Sequence, residues 1–447
     1  MPIELVFIIG MAVLFTLCLK VKANAFISLL ATALVMGLLS GMSGEATIKA
    51  ITGGFAGTVR SIGIVIIFGI MVGNYLDAAK GTNRMAYDTI RLVGQKHASL
   101  AMAITGYIVS IPVFSDAAFV ILSPLLKAIH KKSGIPLALL AVSLSAGLLA
   151  THVYVPPTPG PLAAAGLLGI DLGEAIIWGA FAAVFMTLFG WIFAEVYLRN
   201  KPESFYTFRN EEEKLKETVE ENSLENDTDL PGTMASLLPL VLPIVLILMK
   251  TTCTMLLPKG HYILHITNFI GDSNIALAIG TVVSILTLGN RLGQKQILKI
   301  MDKSLSDAGS IVFITAAGGA LGAVLKQSHA GASLANIVIN TGLPFILIPF
   351  VISGLLKVVQ GSGTVAVITA ATLCAPIASK LGLSPILIFM ASGAGARSCC
   401  HVNDSFFWVY TNCMGFDMKT GLKTLSVSNI FMALGGLFAT FLASLWL

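Results

Sequence analysis

Residues 353–376 read "SGLLKVVQGSGTVAVITAATLCAP". The stretch is apolar on both sides of a polar segment that runs from Gln360 to Thr364 and contains two glycines. Lipid cannot satisfy the free backbone groups of an interrupted helix, so such a break is tolerated in a membrane only where protein or water covers it. The pattern therefore predicts a helical hairpin that enters the membrane, breaks and returns.

The composition around this stretch predicts a membrane protein. Of the 447 residues, 55% are hydrophobic and 11% are charged, whereas soluble domains contain about 25% charged residues. Apolar segments recur along almost the whole chain, and at roughly 20 residues a span we expect about ten to twelve spans. The basic residues behind the net charge of +5 are spread over short loops, as in membrane proteins with many spans. We therefore expect a lipid bilayer around the protein and no nucleic-acid partner.

Similar interruptions occur elsewhere in the chain. Residues 105–126, "TGYIVSIPVFSDAAFVILSPLL", are apolar around a polar segment from Pro112 to Asp116. Residues 149–166, "LATHVYVPPTPGPLAAAG", contain four prolines, which cannot all lie in one regular helix. We pair residues 105–126 with residues 353–376 as two helical hairpins. We pair residues 149–166 with "CCHVNDSFFWVY" at 399–410 and expect both to be broken spans.

The two halves of the chain are related by one constant offset. A shift of 249 residues places Gly69 on Gly318 and the pair His152-Val153 on a second His-Val pair at His401. Chance identities are common in sequence rich in glycine and alanine, but a single offset over distant positions is harder to obtain by chance. We interpret the halves as an internal repeat.

The lysines and arginines predict the orientation of these halves. Most of the 28 basic residues lie in six short segments, and placing these segments in the cytoplasm orients the halves oppositely. Inverted repeats are typical of secondary transporters, which bind substrate at interrupted helices. We therefore expect an all-α polytopic membrane protein with two inverted repeats, residues 1–198 and 235–447, each with a re-entrant helical hairpin and a broken transmembrane helix. A polar cytoplasmic linker, residues 199–234, would join them.

Polar residues at the predicted breaks are the candidates for substrate binding. Gly361 and Gly363 would let backbone N–H groups approach a ligand closely, and a helix that begins there favours an anionic group. The same glycines would also suit a helix-packing site. The remaining candidates for substrate binding carry hydroxyl, imidazole or amide groups: Ser362, Thr364, Thr151, His152, Asn403 and Ser405.

Ionisable residues in apolar segments are the candidates for proton coupling, because a charge inside a membrane is costly and functional by default. They are Asp116, His401 and Asp404. The i, i+3 spacing of His401 and Asp404 would place both on one helix face, as a relay, a structural pair or two ligands of a metal. Lys357 and Arg397 would attract an anionic substrate or neutralise Asp116 or Asp404. No catalytic residue and no metal site is expected.

Five stretches of the chain resemble the gluconate permease family, within the wider group of ion transporters. The resemblance covers nearly the whole chain. The stretches are "GGFAGTVRSIGIVIIFG" (53–69), "IPVFSDAAFVILSPLL" (111–126), "THVYVPPTPGPLAAAG" (151–166), "VVQGSGTVAVITAATLCAPI" (358–377) and "CHVNDSFFWV" (400–409).

The resemblance implies proton-coupled import of a sugar acid, chiefly gluconate, with fructuronate, idonate or D-serine carried by other members. It implies a bacterial inner-membrane protein that is not an enzyme, has no cofactor besides the coupling ion and forms a homodimer with a scaffold and a transport domain. Several positions differ from the family pattern and bear on substrate identity more than on mechanism: Thr158, Lys357, Gly363, Cys400 and Ser115.

Combined, these features predict a site near the membrane midplane. Ser362, Thr364 and nearby backbone N–H groups would hold the carboxylate of the substrate, and Thr151, Asn403 and Ser405 would bind its hydroxyls. Sodium coupling is equally compatible with the pattern, because unwound helices also bind Na⁺. The same residues would also suit a transporter for D-serine or another organic anion and, less well, an anion channel or an intramembrane enzyme.

Overall fold

A computed structural model of the protein describes residues 3–19, 21, 23–94, 97–202, 205–208, 230–258, 261–328, 344–378, 382–401 and 404–447. The described chain is helical, and its one isolated β-bridge joins Phe208 to Phe416. The prediction of an all-α protein is confirmed.

The described α-helices are numbered here in chain order. The first half contains α1 (Ile3–Leu19), α2 (Ala25–Leu39), α3 (Gly44–Ala78), α4 (Gly81–Val93), α5 (Ala98–Val109), α6 (Ser115–Ser133), α7 (Leu137–Tyr154), α8 (Pro159–Leu168) and α9 (Leu172–Phe193). The second half contains α10 (Thr233–Leu256), α11 (Tyr262–Ile270), α12 (Ser273–Leu292), α13 (Gln294–Gln327), α14 (Leu347–Gln360), α15 (Gly363–Cys374), α16 (Pro385–Gly395), α17 (Ser405–Met414), α18 (Met418–Gly421) and α19 (Val427–Ala443).

Seven helical segments in the described part of the chain are long and apolar enough to cross a membrane. Further apolar helices, such as α2, α5, α15 and α16, have 10–17 residues. Since a span needs roughly 20 residues, these shorter helices cannot cross a bilayer alone. The number of long helices is therefore smaller than the number of spans expected from the sequence, because breaks divide several apolar stretches.

The helix boundaries recur at the spacing found in the sequence. Helices α13, α14, α15 and α16 begin 248 to 250 residues after α3, α5, α6 and α7, respectively. The long helices α3 and α13, of 35 and 34 residues, pack against each other. These boundaries support an internal repeat, whereas the opposite orientation of the halves, their limits and the return of the hairpins stay predictions.

Helices α7 and α16 form the centre of the molecule. Every residue of α7 from Ala138 to Tyr154 is buried, and so is every residue of α16 from Ile386 to Gly395. A helix that is apolar on all sides is stable only when protein or lipid surrounds it completely. Both central helices lead directly into a break, which places the two breaks deep inside the protein.

All four predicted interruptions are present. Residues 110–114 separate α5 from α6, residues 361–362 separate α14 from α15, and residues 155–158 separate α7 from α8. The α7–α8 break includes a cis peptide bond between Pro156 and Pro157. The fourth break lies between α16 and α17, and its residues 402 and 403 are outside the described part.

The start of the predicted linker contacts the second half of the chain. The backbone N–H of Thr207 donates to Thr420 Oγ1 at 2.9 Å, and the N–H of Asp417 donates to the Thr207 carbonyl at 2.9 Å. Residues 203, 204 and 209–229 of the linker lie outside the described part. The described residues 205–208 are therefore anchored beside α18.

Candidate functional site

Three of the four breaks and the last turns of α7 surround one cavity of about 280 Å³. Small-molecule sites usually measure roughly 300–1,000 Å³, so this cavity suits a small ligand. Its lining residues are Ser115, Asp116, Leu149, His152, Gly361, Ser362, Gly363, Thr364, Arg397, Asp404, Ser405 and Phe406. Most of the residues predicted to bind substrate therefore lie together.

The α14–α15 break directs the start of a helix at the cavity. Gly361 has a φ of +75°, a conformation that disfavours residues with a side chain. The hydroxyl oxygen of Ser362 then caps α15 by accepting from the N–H of Val365 at 3.3 Å. The first backbone N–H groups of α15 and the positive end of its dipole lie at the cavity, an arrangement that favours a bound anion.

A buried ion pair joins the two breaks of the second half. Lys357 is fully buried, and its Nζ donates to the carbonyl of Gly361 at 2.5 Å and to Asp404 Oδ2. The other carboxylate oxygen of Asp404 caps α17 by accepting from the N–H of Phe406 at 3.0 Å. Of the partners left open by the sequence, Lys357 thus neutralises Asp404, and both ends of the pair are fixed by backbone contacts.

Asp116 lines the same cavity but has a different environment. It lies in the first turn of α6, and its Oδ2 accepts from the Ser405 hydroxyl at 2.8 Å. Its Oδ1 is 3.3 Å from the Ser115 hydroxyl. Within the part of the chain that the structure describes, no lysine or arginine forms an ion pair with Asp116. This carboxylate is therefore held by hydroxyl groups at the cavity wall.

Arg397 follows the end of α16 and lines the same cavity. Its side chain is buried, and its Nε and Nη1 make no hydrogen bond to any residue that the structure describes. Its charge interacts with those of Asp404 and Lys357. Arg397 is thus a cation with unused donors beside the start of α15.

His152 faces α15 from the end of α7. Its Nε2 is 3.4 Å from the Thr364 hydroxyl, and its Nδ1 has no hydrogen-bond partner among the described residues. The ring of Phe114 packs beside the imidazole. The preceding residue, Thr151, does not line the cavity, and its hydroxyl donates to the carbonyl of Gly147 at 3.1 Å within α7. The role of Thr151 in substrate binding stays a prediction.

His401 does not share a helix face with Asp404, and the prediction that it does is wrong. Asp404 is the N-cap of α17 and has extended backbone angles, so the helix cannot continue back to His401. His401 is partly exposed, lies outside the cavity lining, and its Nε2 is 3.2 Å from the carbonyl of Val358. Its role in proton coupling stays a prediction, and Asn403 lies outside the described residues.

Sequence reasoning missed two apolar lining residues, Leu149 and Phe406. Leu149 precedes His152 by three residues and therefore lies on the same face of α7, which is the signal that could have found it. Phe406 packs against Phe119 with ring centroids 5.3 Å apart, a contact that nothing in the sequence indicates. Among the described residues, no three His, Cys, Asp or Glu side chains are grouped to hold a metal ion.

Residues 1–446 match the family model described as GntP family permease. The chain belongs to this family. It is 40% identical to an uncharacterised permease of Haemophilus influenzae, over 98% of this chain and 91% of that protein. It is 32% identical to a gluconate permease of Pseudomonas aeruginosa, over 99% of this chain and 96% of that protein.

The fold is also similar to a solved structure from outside these relatives. The YdaH transporter of Alcanivorax borkumensis superposes with a TM-score of 0.65 at 16% identity, over 94% of this chain and 97% of that one. With the family match and the seven long apolar helices, this permease is a membrane transporter and a multi-pass protein of the inner membrane, not an enzyme. The resemblance found in the sequence is confirmed.

Proposed function

We propose that this permease imports gluconate or a closely related sugar acid together with a proton. The observation that carries the proposal is the balance of charges at the cavity. Asp116 and Asp404 are the carboxylates of its lining, Arg397 is a cation of its lining, and Lys357 is bonded to Asp404. With both carboxylates ionised, these four charges sum to zero.

A bound monocarboxylate changes that balance by one negative charge. An uncompensated charge in a water-poor site inside a membrane is costly, so the anion is disfavoured while Asp116 is ionised. A proton on Asp116 restores neutrality, and each of the two ligands therefore favours binding of the other. Asp404 is less suited to carry the proton, because Lys357 and the N–H of Phe406 both stabilise its ionised form.

The polar groups of the cavity suit a hydroxylated substrate. Ser362, Thr364 and Ser405 present hydroxyls, and His152 presents an imidazole beside Thr364. Ser362 accepts a hydrogen bond as a helix cap, which leaves its O–H free to donate to a ligand. The full-length similarity to a gluconate permease of Pseudomonas aeruginosa supports a sugar acid as the substrate.

Uptake of labelled gluconate into proteoliposomes tests the proposal. With an inward proton gradient and no sodium, we expect accumulation above equilibrium that a protonophore abolishes. Equal accumulation without a proton gradient would overturn proton coupling, and dependence on an imposed sodium gradient would replace the proton with Na⁺. Uptake that only equilibrates under every gradient would favour a channel. Failure to take up gluconate and other sugar acids would overturn the substrate class.

A small zwitterion such as D-serine is a second candidate substrate. Its carboxylate could bind Arg397 and its ammonium group could bind Asp116, so both charges of the ligand would be balanced without a proton. D-serine uptake in the same vesicles would then be independent of the proton gradient. Uptake of D-serine but not of gluconate would favour this candidate.

We further propose the homodimer with a scaffold and a transport domain that the sequence resemblance implies. Light scattering of the purified protein in detergent, corrected for bound detergent, would give twice the mass of one chain. The mass of a single chain at all protein concentrations would contradict the dimer. Extensive dialysis of the protein before reconstitution should leave uptake unchanged, because we propose no cofactor besides the coupling ion.

A further inference from the structure

Gly363 and Arg397 both line the cavity and are in close contact with each other. A Cβ atom built on Gly363 would overlap Arg397 Nη2 and would also crowd the rest of the guanidinium. Gly363 is the first residue of α15, and its φ does not require glycine. The guanidinium therefore occupies the space that a side chain at this position would fill.

The guanidinium group of Arg397 has unused hydrogen-bond donors. Arg397 is only 3% exposed, and Nε and Nη1 lack a hydrogen-bond partner among the described residues. Buried polar groups are nearly always hydrogen-bonded, and arginine is suited to hold a carboxylate through two parallel bonds. The side chain also lines the cavity, so a ligand there reaches the group that lacks partners.

The start of α15 offers donors beside the guanidinium. The first N–H groups of a helix have no partner within it. Ser362 already caps the N–H of Val365, and the N–H groups of Gly363 and Thr364 precede it. These two donors and the guanidinium lie on the same side of the cavity.

We propose that Arg397 and the first turn of α15 together bind the carboxylate of the substrate, and that Gly363 is a specificity-determining residue because it leaves room for the guanidinium. The site takes one carboxylate. Lys357 is bonded to Asp404 and to the carbonyl of Gly361, so the described lining of the cavity offers a dicarboxylate no second lysine or arginine beside Arg397. The identity of the substrate rests on the proposed function, whereas the carboxylate site applies to any small monocarboxylate.

A double-mutant cycle in the purified, full-length protein tests the proposal. The variants are Gly363→Ala, Arg397→Lys and the two together, and the ligands are gluconate, its neutral amide gluconamide and D-serine. The control is Gly322→Ala, which adds the same methyl group 3.6 Å from Thr372 of α15, an ordinary contact. Binding is measured by calorimetry, and thermal unfolding shows whether each variant is folded.

We expect the wild type to bind gluconate at least about 30-fold more tightly than gluconamide, as for other buried charge pairs. Gly363→Ala lowers the affinity for gluconate about tenfold, because the methyl group displaces the guanidinium. In the Arg397→Lys background the same methyl group costs about threefold or less, since the slender lysine does not fill that space. Gly322→Ala leaves the affinities for gluconate and gluconamide unchanged.

Other outcomes separate this inference from the proposed function. Equal binding of gluconate and gluconamide, or an additive cycle, overturns the carboxylate site while import of gluconate stands. If no sugar acid is bound or imported but D-serine affinity depends on Gly363 and Arg397 as described, the site stands and the proposed substrate fails. If folded wild-type protein binds neither carboxylate, both fail.

Discussion

The α5–α6 break and the α14–α15 break recur at equivalent positions in the two halves, but they bring different chemistry to the cavity. The first contributes Asp116, whose carboxylate is held by hydroxyl groups. The second is tied by Lys357 to Asp404, in a pair fixed by backbone contacts at both ends. In the proposed mechanism Asp116 would take up the coupled proton, whereas the Lys357–Asp404 pair would stay charged throughout transport.

Replacing Asp116, the proposed proton carrier, has the largest expected effect. We expect Asp116→Asn to lose all proton-driven accumulation of gluconate while it keeps exchange of gluconate across the membrane, because Asn resembles the protonated acid but cannot release a proton. Uptake and counterflow in proteoliposomes measure the two activities. Asp302→Asn, which changes an exposed carboxylate on α13, is the control and remains as active as the wild type. Proton-driven accumulation by Asp116→Asn would contradict the role of Asp116.

Breaking the ion pair between Lys357 and Asp404 acts mainly on the stability of the protein. We expect Lys357→Met or Asp404→Asn alone to lower the free energy of unfolding by about 3–5 kcal/mol, because each leaves one buried charge without its partner. Asn at position 404 can still cap α17, so the loss of stability in Asp404→Asn reports the removal of the negative charge. The double variant should be more stable than either single variant.

Thermal unfolding of the detergent-solubilised variants measures this cycle. If the two single effects simply add in the double variant, the pair is not coupled. The second half would then not differ from the first in the way described above.

Two glycines at equivalent positions on the long helices α3 and α13 allow a comparison with a smaller expected effect on stability. A Cβ atom on Gly73 would clash with the carbonyl of Pro112 in the α5–α6 break, whereas one on Gly322, 249 positions later, lies 3.6 Å from Thr372 Cγ2. We expect Gly73→Ala to destabilise the protein by about 1–3 kcal/mol through overpacking. Gly322→Ala should change stability by no more than about 0.5 kcal/mol, as at an ordinary site. Equal melting temperatures would show that the first break adapts as freely as its counterpart.

The smallest effect is expected at Thr151. Its hydroxyl donates within α7 and does not line the cavity, so Thr151→Ala should change the KM for gluconate less than about twofold. Ser405→Ala should raise the KM about tenfold, because Ser405 donates to the carboxylate of Asp116 at 2.8 Å. Initial rates of uptake measure both. A larger increase in KM for Thr151→Ala would support the direct contact between Thr151 and the substrate that the sequence predicts.

The positions of the breaks could be predicted because they depend on local sequence. The prolines from 156 to 161 cannot all lie in one regular helix, and glycine at position 361 readily takes the left-handed conformation that ends a helix. Polar residues inside apolar stretches then indicate a cavity, since lipid does not accept them. The one local prediction that failed, a helix face shared by His401 and Asp404, assumed that the helix began before Asp404, where the side chain caps it instead.

The sequence by itself determined the helical class, the internal offset, the interruptions and the residue types available for an anion and a proton. Only the tertiary structure decided which charge meets which. Lys357 pairs with a carboxylate 47 positions away, Ser405 donates to one 289 positions away, and Arg397 occupies the space left by Gly363. Periodicity and propensity act over a few residues, whereas partners across a cavity are set by how distant helices pack. The same carboxylate type is therefore a fixed partner at position 404 and a candidate proton carrier at position 116.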